Sequence, residues 1–472
     1  MNNIASLSYF GGEFVLLGGA ILVLFSDLVF RNKKWIGFLA LAVTAASAAF
    51  FRRPEIPVDL FYGFFRLDSF TVLFRGIVSL VIAITIILSL NFRPLKKKYL
   101  GEYYSLLLFA GFGLILMASS RNLLMIFLSI EFVSIVSYLL TGFMKDDAKS
   151  KEASLKYLLF GSTCSGLMLY GMSFLYGLSG SLDIASIRSA ALLPGASQVT
   201  FLAMLLVFAG IGFKISMAPF HMWAPDVYEG APSPVTAFLT VGPKALGFAV
   251  LIRLLQEAFA DFSVQWANIF IILSIVTMTA GNLTAIAQSN IKRLLAYSSI
   301  AHAGYILIGL AVCSPAGREA VVFYLLAYIF TNLGVFAAVI AAEGENQNYD
   351  ISFFAGLSKR SPFLAASMTL FLLSLAGIPP LAGFVGKFFI LAAAVEKGQM
   401  VLAVAAVVNS VLSVFYYFKV IRVMYFIPGG NERAAATPFP LRLALWIAMT
   451  GTILLGVAPA PVLSMVRHAV PF

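Results

Sequence analysis

The sequence predicts an all-α, polytopic membrane protein of about fourteen transmembrane helices, and three observations predict it. Of the 472 residues, 61% are hydrophobic and 11% charged, where an average soluble domain carries about 25% charged residues. Mean hydropathy is +0.95. The apolar residues also recur in runs of about 20, the length at which a helix crosses the hydrocarbon core of a bilayer.

The runs fall at 10–30, 35–50, 69–90, 102–118, 121–142, 153–178, 198–219, 234–258, 264–286, 291–312, 316–341, 362–395, 398–426 and 440–460. No soluble domain fits between them. The longest connections, near 51–68, 179–197 and 342–361, have room only for short hairpins or surface helices. The first run lacks a basic leader and contains Glu13, so it is expected to be retained rather than cleaved as a signal.

The net charge of +11 does not point to a nucleic acid, because the basic residues sit in short clusters between apolar runs, as at Arg93, Lys96, Lys97 and Lys98. In a membrane protein that pattern sets topology. Connections after odd-numbered spans hold 19 of the 32 Lys and Arg, the opposite side holds 9, and Arg75, Lys214, Lys244 and Lys387 lie inside spans. The basic side is then cytoplasmic, and both termini face outward, into the periplasm of a bacterial inner membrane.

Redox centres are not expected in this chain. Cys164 and Cys313 form no close pair, which argues against a disulfide framework or an iron–sulfur cluster. Of His221, His302 and His468, only His302 falls near the middle of a span, too few for a bis-histidine haem. No cofactor or metal is assigned.

Three spans, in two parts of the chain, carry helix-breaking residues. Span twelve is too long for one crossing and contains Gly377-Ile378-Pro379-Pro380, which interrupts helical hydrogen bonding. Spans seven and eight carry comparable disruptions at Pro219 and Gly242-Pro243. Unwound backbone at membrane depth is tolerated inside protein or beside water, and interrupted helices in two parts of a chain point to an ion path. Glu131 precedes Lys214 by 83 residues and His302 precedes Lys387 by 85. Spans four to eight and nine to thirteen thus read as two five-helix units, inverted because five is odd. The expected divisions are 1–101, 102–258, 259–426 and 427–472.

An ionisable group in mid-span costs at least ~2.5–3.5 kcal/mol, so those present usually line a polar interior path. Glu131, halfway along span five between Ile130 and Phe132, is read as a carboxylate that exchanges a proton or pairs with a buried cation, against a structural helix–helix hydrogen bond. Lys214 precedes the break at Pro219; Lys244 adjoins Pro243; Lys387 follows Val385-Gly386. A free lysine holds its proton up to pH ~10.4, while burial and a neighbouring carboxylate move that value in opposite directions. A lysine whose partner approaches and retreats is therefore a proton switch. Moving one charge against 150 mV takes ~3.5 kcal/mol, the equivalent of a few pK units. Snorkelling to the interface is the competing reading for Lys214.

His302 titrates in the right range, as a relay or as a hydrogen-bonded structural residue. His221, after span seven, is either a proton entrance or a loop histidine. Lys156, with Glu152 at the start of span six, either reaches inward toward Glu131 or anchors the helix at the interface. Ser129, Ser134, Ser216 and Tyr297 could supply hydroxyls for a proton wire. Arg75, Glu13 and Asp27 stay ambiguous between packing and polar contacts.

The run Lys214-Ile215-Ser216-Met217-Ala218-Pro219-Phe220-His221-Met222-Trp223-Ala224-Pro225-Asp226-Val227-Tyr228-Glu229-Gly230-Ala231-Pro232 closely resembles the antiporter-like subunits of respiratory complex I. Its continuation Ser233-Pro234-Val235-Thr236-Ala237-Phe238 to Lys244, with Val-Tyr-x-Gly-Ala-Pro before it, is similar to the N-type subunits rather than the L and M types or Mrp antiporters. Glu152-Ala153-Ser154-Leu155-Lys156-Tyr157 and Gly377-Ile378-Pro379-Pro380-Leu381-Ala382-Gly383-Phe384 extend the match.

The resemblance implies fourteen helices, two inverted repeats, broken helices seven and twelve, a glutamate at Glu131 and lysines at Lys214, Lys244 and Lys387. It implies proton translocation driven by quinone reduction elsewhere, with NADH, FMN, iron–sulfur clusters and quinone held by other subunits and with M and K subunits as neighbours. The order of relay, from Glu131 and Lys214 through Lys244 and His302 to Lys387, also comes from the resemblance. A cation/proton antiporter subunit and a non-pumping scaffold are the competing readings.

Overall fold

The computed structural model describes residues 3–30, 33–92, 94, 95, 97–343, 348–429 and 437–470. Arg31, Arg93, Lys96 and Arg433, four of the basic residues behind the expected sidedness, lie outside the described residues.

Helix follows the apolar runs. α1 (Asn3–Leu7) leads into α2 (Gly11–Val29), α3 (Lys34–Ala49), α4 (Ser69–Ser89), α5 (Leu100–Ser119), α6 (Leu123–Thr141) and α7 (Ala148–Ser179). An antiparallel hairpin of β1 (Val58–Leu60) and β2 (Phe65–Leu67) fills the connection between α3 and α4. There follow α8 (Ile184–Ala191), α9 (Ala196–Ile215), α10 (Ala224–Gly230), α11 (Ser233–Glu257), α12 (Ser263–Ile286), α13 (Ile291–Ala311) and α14 (Pro315–Glu343). The last part comprises α15 (Leu357–Arg360), α16 (Pro362–Ala376), α17 (Ala382–Glu396), α18 (Met400–Phe426), α19 (Phe439–Val457) and α20 (Ala460–Ala469). Among the described residues, twelve helices are long and apolar enough to cross a membrane, and α3 and α16 carry shorter apolar stretches.

The helix starts are written in short polar residues. Asp68, Asn122, Asp147, Asp183 and Asn290 each precede an apolar run and accept a backbone N–H of the helix they open, α4, α6, α7, α8 and α13. Such caps satisfy donors that have no partner inside the helix and are worth about 1 kcal/mol each.

The layering places the polar residues. The apolar window of α11 is entirely buried, and those of α13 and α14 nearly so, while α2, α7 and α19 are buried over a third or less of theirs. The outer helices present Phe25, Leu159, Ile272, Val401 and Phe415 outward, as a lipid-facing surface should. Polar side chains on the three central helices thus point into protein.

Ion pairs segregate by face. Lys149–Glu229, Lys156–Asp226 and Arg293–Asp226 join segments that follow odd-numbered runs. Arg121–Asp59, Arg121–Glu257, Arg253–Asp68 and Arg188–Asp261 join segments that follow even-numbered ones. Glu13 of α2 and Arg75 of α4, both buried, form an ion pair that ties these two helices together.

The helical path is interrupted after Ile215 and after Ala376. One expectation fails: α11 runs unbroken through Gly242-Pro243. Pro243 has no N–H to give the carbonyl of Leu239. That carbonyl instead accepts the Tyr228 hydroxyl at 3.3 Å, so the missing bond is replaced from a neighbouring element and the helix continues.

Candidate functional site

Glu131 and Lys214 meet on α6 through hydroxyls. Ser165 of α7 donates to Glu131 Oε1. Buried Lys214, in the last turn of α9, donates to Ser134 Oγ at 2.9 Å. Ser134 lies three residues after Glu131, on the adjoining helical face. Among the described residues no direct ion pair joins the two, yet Glu131 is within electrostatic reach of Lys214. Glu131 is half-buried rather than enclosed, and Ser165 supplies the polar partner that its sequence neighbours do not. Ser129 turns back onto the Ile126 carbonyl at 3.0 Å, so of the α6 hydroxyls it is Ser134 that serves the lysine.

The break after α9 is braced by several hydrogen bonds. Ser216 takes a left-handed backbone (φ 58°), and Met217 N–H returns to the Gly212 carbonyl at 2.8 Å. Trp223 Nε1 donates to the Phe213 carbonyl at 3.1 Å, and Ala218 N–H donates to Thr277 Oγ1 of α12 at 3.1 Å. Trp223 stacks on Tyr157 with ring centroids 4.4 Å apart. Freed backbone groups at membrane depth are thus satisfied by protein. His221 sits within this interruption, half-buried, its Nδ1 without a partner among the described residues. It lies in the turn between α9 and α10.

Lys244, buried on α11, donates to the carbonyl of Ser299 at 3.1 Å and to its hydroxyl. Three residues further along α13, buried His302 places Nδ1 2.6 Å from the Tyr324 hydroxyl and Nε2 3.2 Å from that of Tyr417. Three residues beyond, Tyr305 lies under Lys387, the amine 4.7 Å from the ring centroid. Ser299, His302 and Tyr305 are neighbours at i, i+3 and i+6 on one helix, so α13 forms a polar spine from Lys244 to Lys387.

Lys387 on α17 donates to the carbonyls of Leu375 and Ala376 at 3.1 and 3.0 Å and to Ser410 Oγ at 3.0 Å. Those carbonyls end α16 and lack helical partners; a cation there is favoured by the helix dipole as well. Around Tyr305, Asn282 donates to its hydroxyl at 3.3 Å and to Asn409 Oδ1 at 3.1 Å, and accepts Tyr416 O–H at 3.0 Å. This buried amide–phenol network was not foreseen from the sequence, because asparagine and tyrosine in apolar runs do not stand out as a lysine does.

Lys156 is not part of the interior. It is partly exposed and forms ion pairs with Glu152 at 2.8 Å and Asp226 at 2.6 Å. Lys156 lies in the third turn of α7, which begins at Ala148. Asp226 is shared with Arg293 at 2.7 Å, and Glu229 accepts Arg293 at 2.9 Å.

The geometry leaves Lys214, Lys244 and Lys387 buried, each held by hydroxyls or carbonyls and, among the described residues, without a carboxylate in ion-pair contact. An oxygen acceptor serves a charged ammonium and also a neutral amine N–H. Nothing fixes these amines permanently in the charged form.

Comparison with known proteins places this arrangement. The family described as NADH:quinone oxidoreductase/Mrp antiporter, TM, matches residues 120–413. NADH-quinone oxidoreductase subunit N 2 of Sorangium cellulosum is 44% identical, covering 100% of this chain and 98% of its own. NADH-quinone oxidoreductase subunit N of Trichlorobacter lovleyi is 41% identical over 96% of this chain and 94% of its own. A chain of respiratory complex I from Thermus thermophilus with bound aureothin superposes with a TM-score of 0.82 at 30% identity, covering 96% of this chain and 98% of that one. The chain belongs to the NADH:quinone oxidoreductase/Mrp antiporter membrane family, among its NADH-quinone oxidoreductase subunit N members.

Proposed function

We propose that this chain is a membrane-arm subunit of a complex I-type NADH-quinone oxidoreductase and moves protons from the cytoplasm outward, driven by quinone reduction in other subunits. The observation that carries the reading is the row of buried lysines without counterions, Lys214, Lys244 and Lys387, linked by Ser134, Ser299, His302 and Tyr305. A buried unpaired charge is expensive, so an interior that holds three titratable amines is suited to exchanging protons. Glu131 modulates Lys214, Lys244 and His302 relay, and Lys387 leads to the outlet. His221 completes the interior group, while Lys156 braces the basic face.

The names of the relatives support the redox coupling. NADH, FMN, iron–sulfur clusters and quinone belong to partner subunits in this reading, with M- and K-type chains as membrane neighbours. Fourteen crossings, two inverted five-helix units (102–258 and 259–426) and both termini on the periplasmic side of the inner membrane complete the proposal.

The test is Lys214→Ala in the assembled complex in inside-out vesicles. Proton uptake coupled to quinone reduction should fall by tenfold or more, ~10²-fold being typical for loss of a proton-transfer group. Unchanged uptake would favour a scaffold. Uptake that follows an imposed sodium gradient and ignores quinone reduction would favour an antiporter.

A further inference from the structure

Two buried titratable groups stand outside the row just described. Lys292, in the first turn of α13, donates to the Ala231 carbonyl at 2.6 Å and lies 4.4 Å from the centroid of the Tyr349 ring. Glu343, ending α14, accepts Ser233 O–H at Oε2 at 3.0 Å, and the Ser233 and Tyr349 hydroxyls are 3.2 Å apart. Glu343 is 2% exposed, and its Oε1 has no partner among the described residues.

A cavity of about 560 Å³ opens onto Lys292 and Tyr349 of this cluster. Its walls come from residues 94, 95, 99, 143–147, 149 and 229–232 together with Lys292 and Tyr349. All of these follow odd-numbered apolar runs, so the cavity lies on the basic face. Glu229, Asp147, Lys149 and Glu343 are the charged groups that act on Lys292 there.

From the cluster a stripe of hydroxyls runs inward along α11, Thr236 donating to the Tyr228 carbonyl at 3.0 Å and Thr240 to the Ala237 carbonyl at 2.7 Å, which leaves their oxygens free to accept. Ser233, Thr236, Thr240 and Lys244 follow one another on α11 at steps of 3, 4 and 4, the spacing of one helical face. All four are buried. Eleven residues of helix span about 16 Å. On α13, Lys292 and Ser299 are seven residues apart, two turns along the same face, and Ser299 is the partner of Lys244.

We propose that this vestibule is a proton inlet from the basic face, with Lys292 and Glu343 as its exchange pair and the α11 hydroxyl stripe as its route to Lys244. A proton from water binds Glu343 Oε1; the carboxyl passes it along Ser233, Thr236, Thr240 and intervening water to a neutral Lys244 amine, and Glu343 returns to carboxylate. Lys292 balances the carboxylate between transfers. The inlet bypasses Glu131 and Lys214 and rests on the proton-relay reading above.

The test compares Glu343→Gln, Lys292→Met and Thr240→Val with Lys214→Ala and Lys387→Ala in the assembled complex, measuring proton uptake and quinone reduction in inside-out vesicles. The inlet predicts about tenfold or greater loss of uptake for Glu343→Gln and Lys292→Met, and a smaller loss for Thr240→Val. Normal uptake in all three, with uptake abolished in Lys214→Ala and Lys387→Ala, overturns the inlet and leaves the relay standing. Normal uptake in all five overturns both. Should Lys292→Met or Glu343→Gln fail to assemble, Met144→Cys decides. Met144 lines the cavity, and a membrane-impermeant thiol reagent applied to the basic face after assembly should slow uptake there but not in the parent chain. Full labelling without slowing overturns the inlet.

Discussion

Lys387 Nζ donates to the carbonyl of Ala376 at 3.0 Å, so one half of an interrupted helix caps the other. The amine that is proposed to carry protons is therefore also a structural ligand of α16.

The two roles separate by substitution. Lys387→Met leaves the Leu375 and Ala376 carbonyls with one donor fewer each, at a cost of about 1–3 kcal/mol, and should lower the thermal midpoint of the detergent-solubilised complex as well as abolish pumping. Arginine keeps the cation and its donors but does not deprotonate in proteins. Lys387→Arg should therefore hold most of the stability and still fail to pump. Pumping by the arginine variant would remove Lys387 from the proton path.

Tyr228 and Pro243 make a second separable pair, since the Tyr228 hydroxyl replaces the bond that proline cannot form. Tyr228→Phe strands the Leu239 carbonyl in a fully buried helix and should destabilise by about 1–3 kcal/mol. Adding Pro243→Ala returns an N–H to that carbonyl. The double variant should recover most of the thermal midpoint; no recovery would mean that the Tyr228 hydroxyl serves another purpose.

The helices were legible because the length and hydropathy of an apolar run report a membrane span directly, whereas the caps at Asp68, Asn122, Asp147 and Asn290 emerged from the structure. Lys214, Lys244 and Lys387 were legible because a charge in mid-run has few bland explanations. Lys292 and Glu343 were not, because they stand at the ends of runs. There a basic residue reads as a topology anchor, and only the central position of α13 and α14 turns both side chains inward. For Lys156 the sequence leaves an inward and an anchoring reading open, because it does not show the Asp226 carboxylate 2.6 Å from the amine. The Gly242-Pro243 expectation failed because Tyr228, fifteen residues away from Pro243, supplies the missing donor, and sequence carries no distances.

Tyr305 separates a ring effect from a hydroxyl effect. The ring lies 4.7 Å from the Lys387 amine, whereas the hydroxyl accepts from Asn282. Cation–π contact is worth ~0.5–2 kcal/mol. Tyr305→Phe keeps the ring, and the hydrogen bond that it loses is to Asn282 and not to the Lys387 amine, so the rate of coupled proton uptake should stay close to the parent's. Tyr305→Leu removes the ring and should reduce uptake by roughly 2–30-fold. Equal effects of the two variants would shift the role from the ring to the Asn282 network.

The last prediction concerns pH and the basic face, in the connection 220–233 outside the spanning segments. Partial burial tends to raise the carboxyl of Asp226, but hydrogen bonds from Lys156 and Arg293 outweigh it and hold the group below its ordinary value. Glu229 is held down in the same way, burial being opposed by Lys149 and Arg293. A carboxylate depressed in the folded state contributes stability above its unfolded pKa, ~3.9 for Asp and ~4.3 for Glu, and loses it as pH falls through the folded value. The complex should thus keep this contribution at neutral pH and lose it below about pH 4. Both side chains are partly exposed, so the contribution is modest and shrinks with salt. Asp226→Asn with Glu229→Gln should lower the thermal midpoint near pH 7 and flatten its decline toward acid. A double variant whose midpoint falls with acid as steeply as the parent's would place the acid-sensitive groups elsewhere.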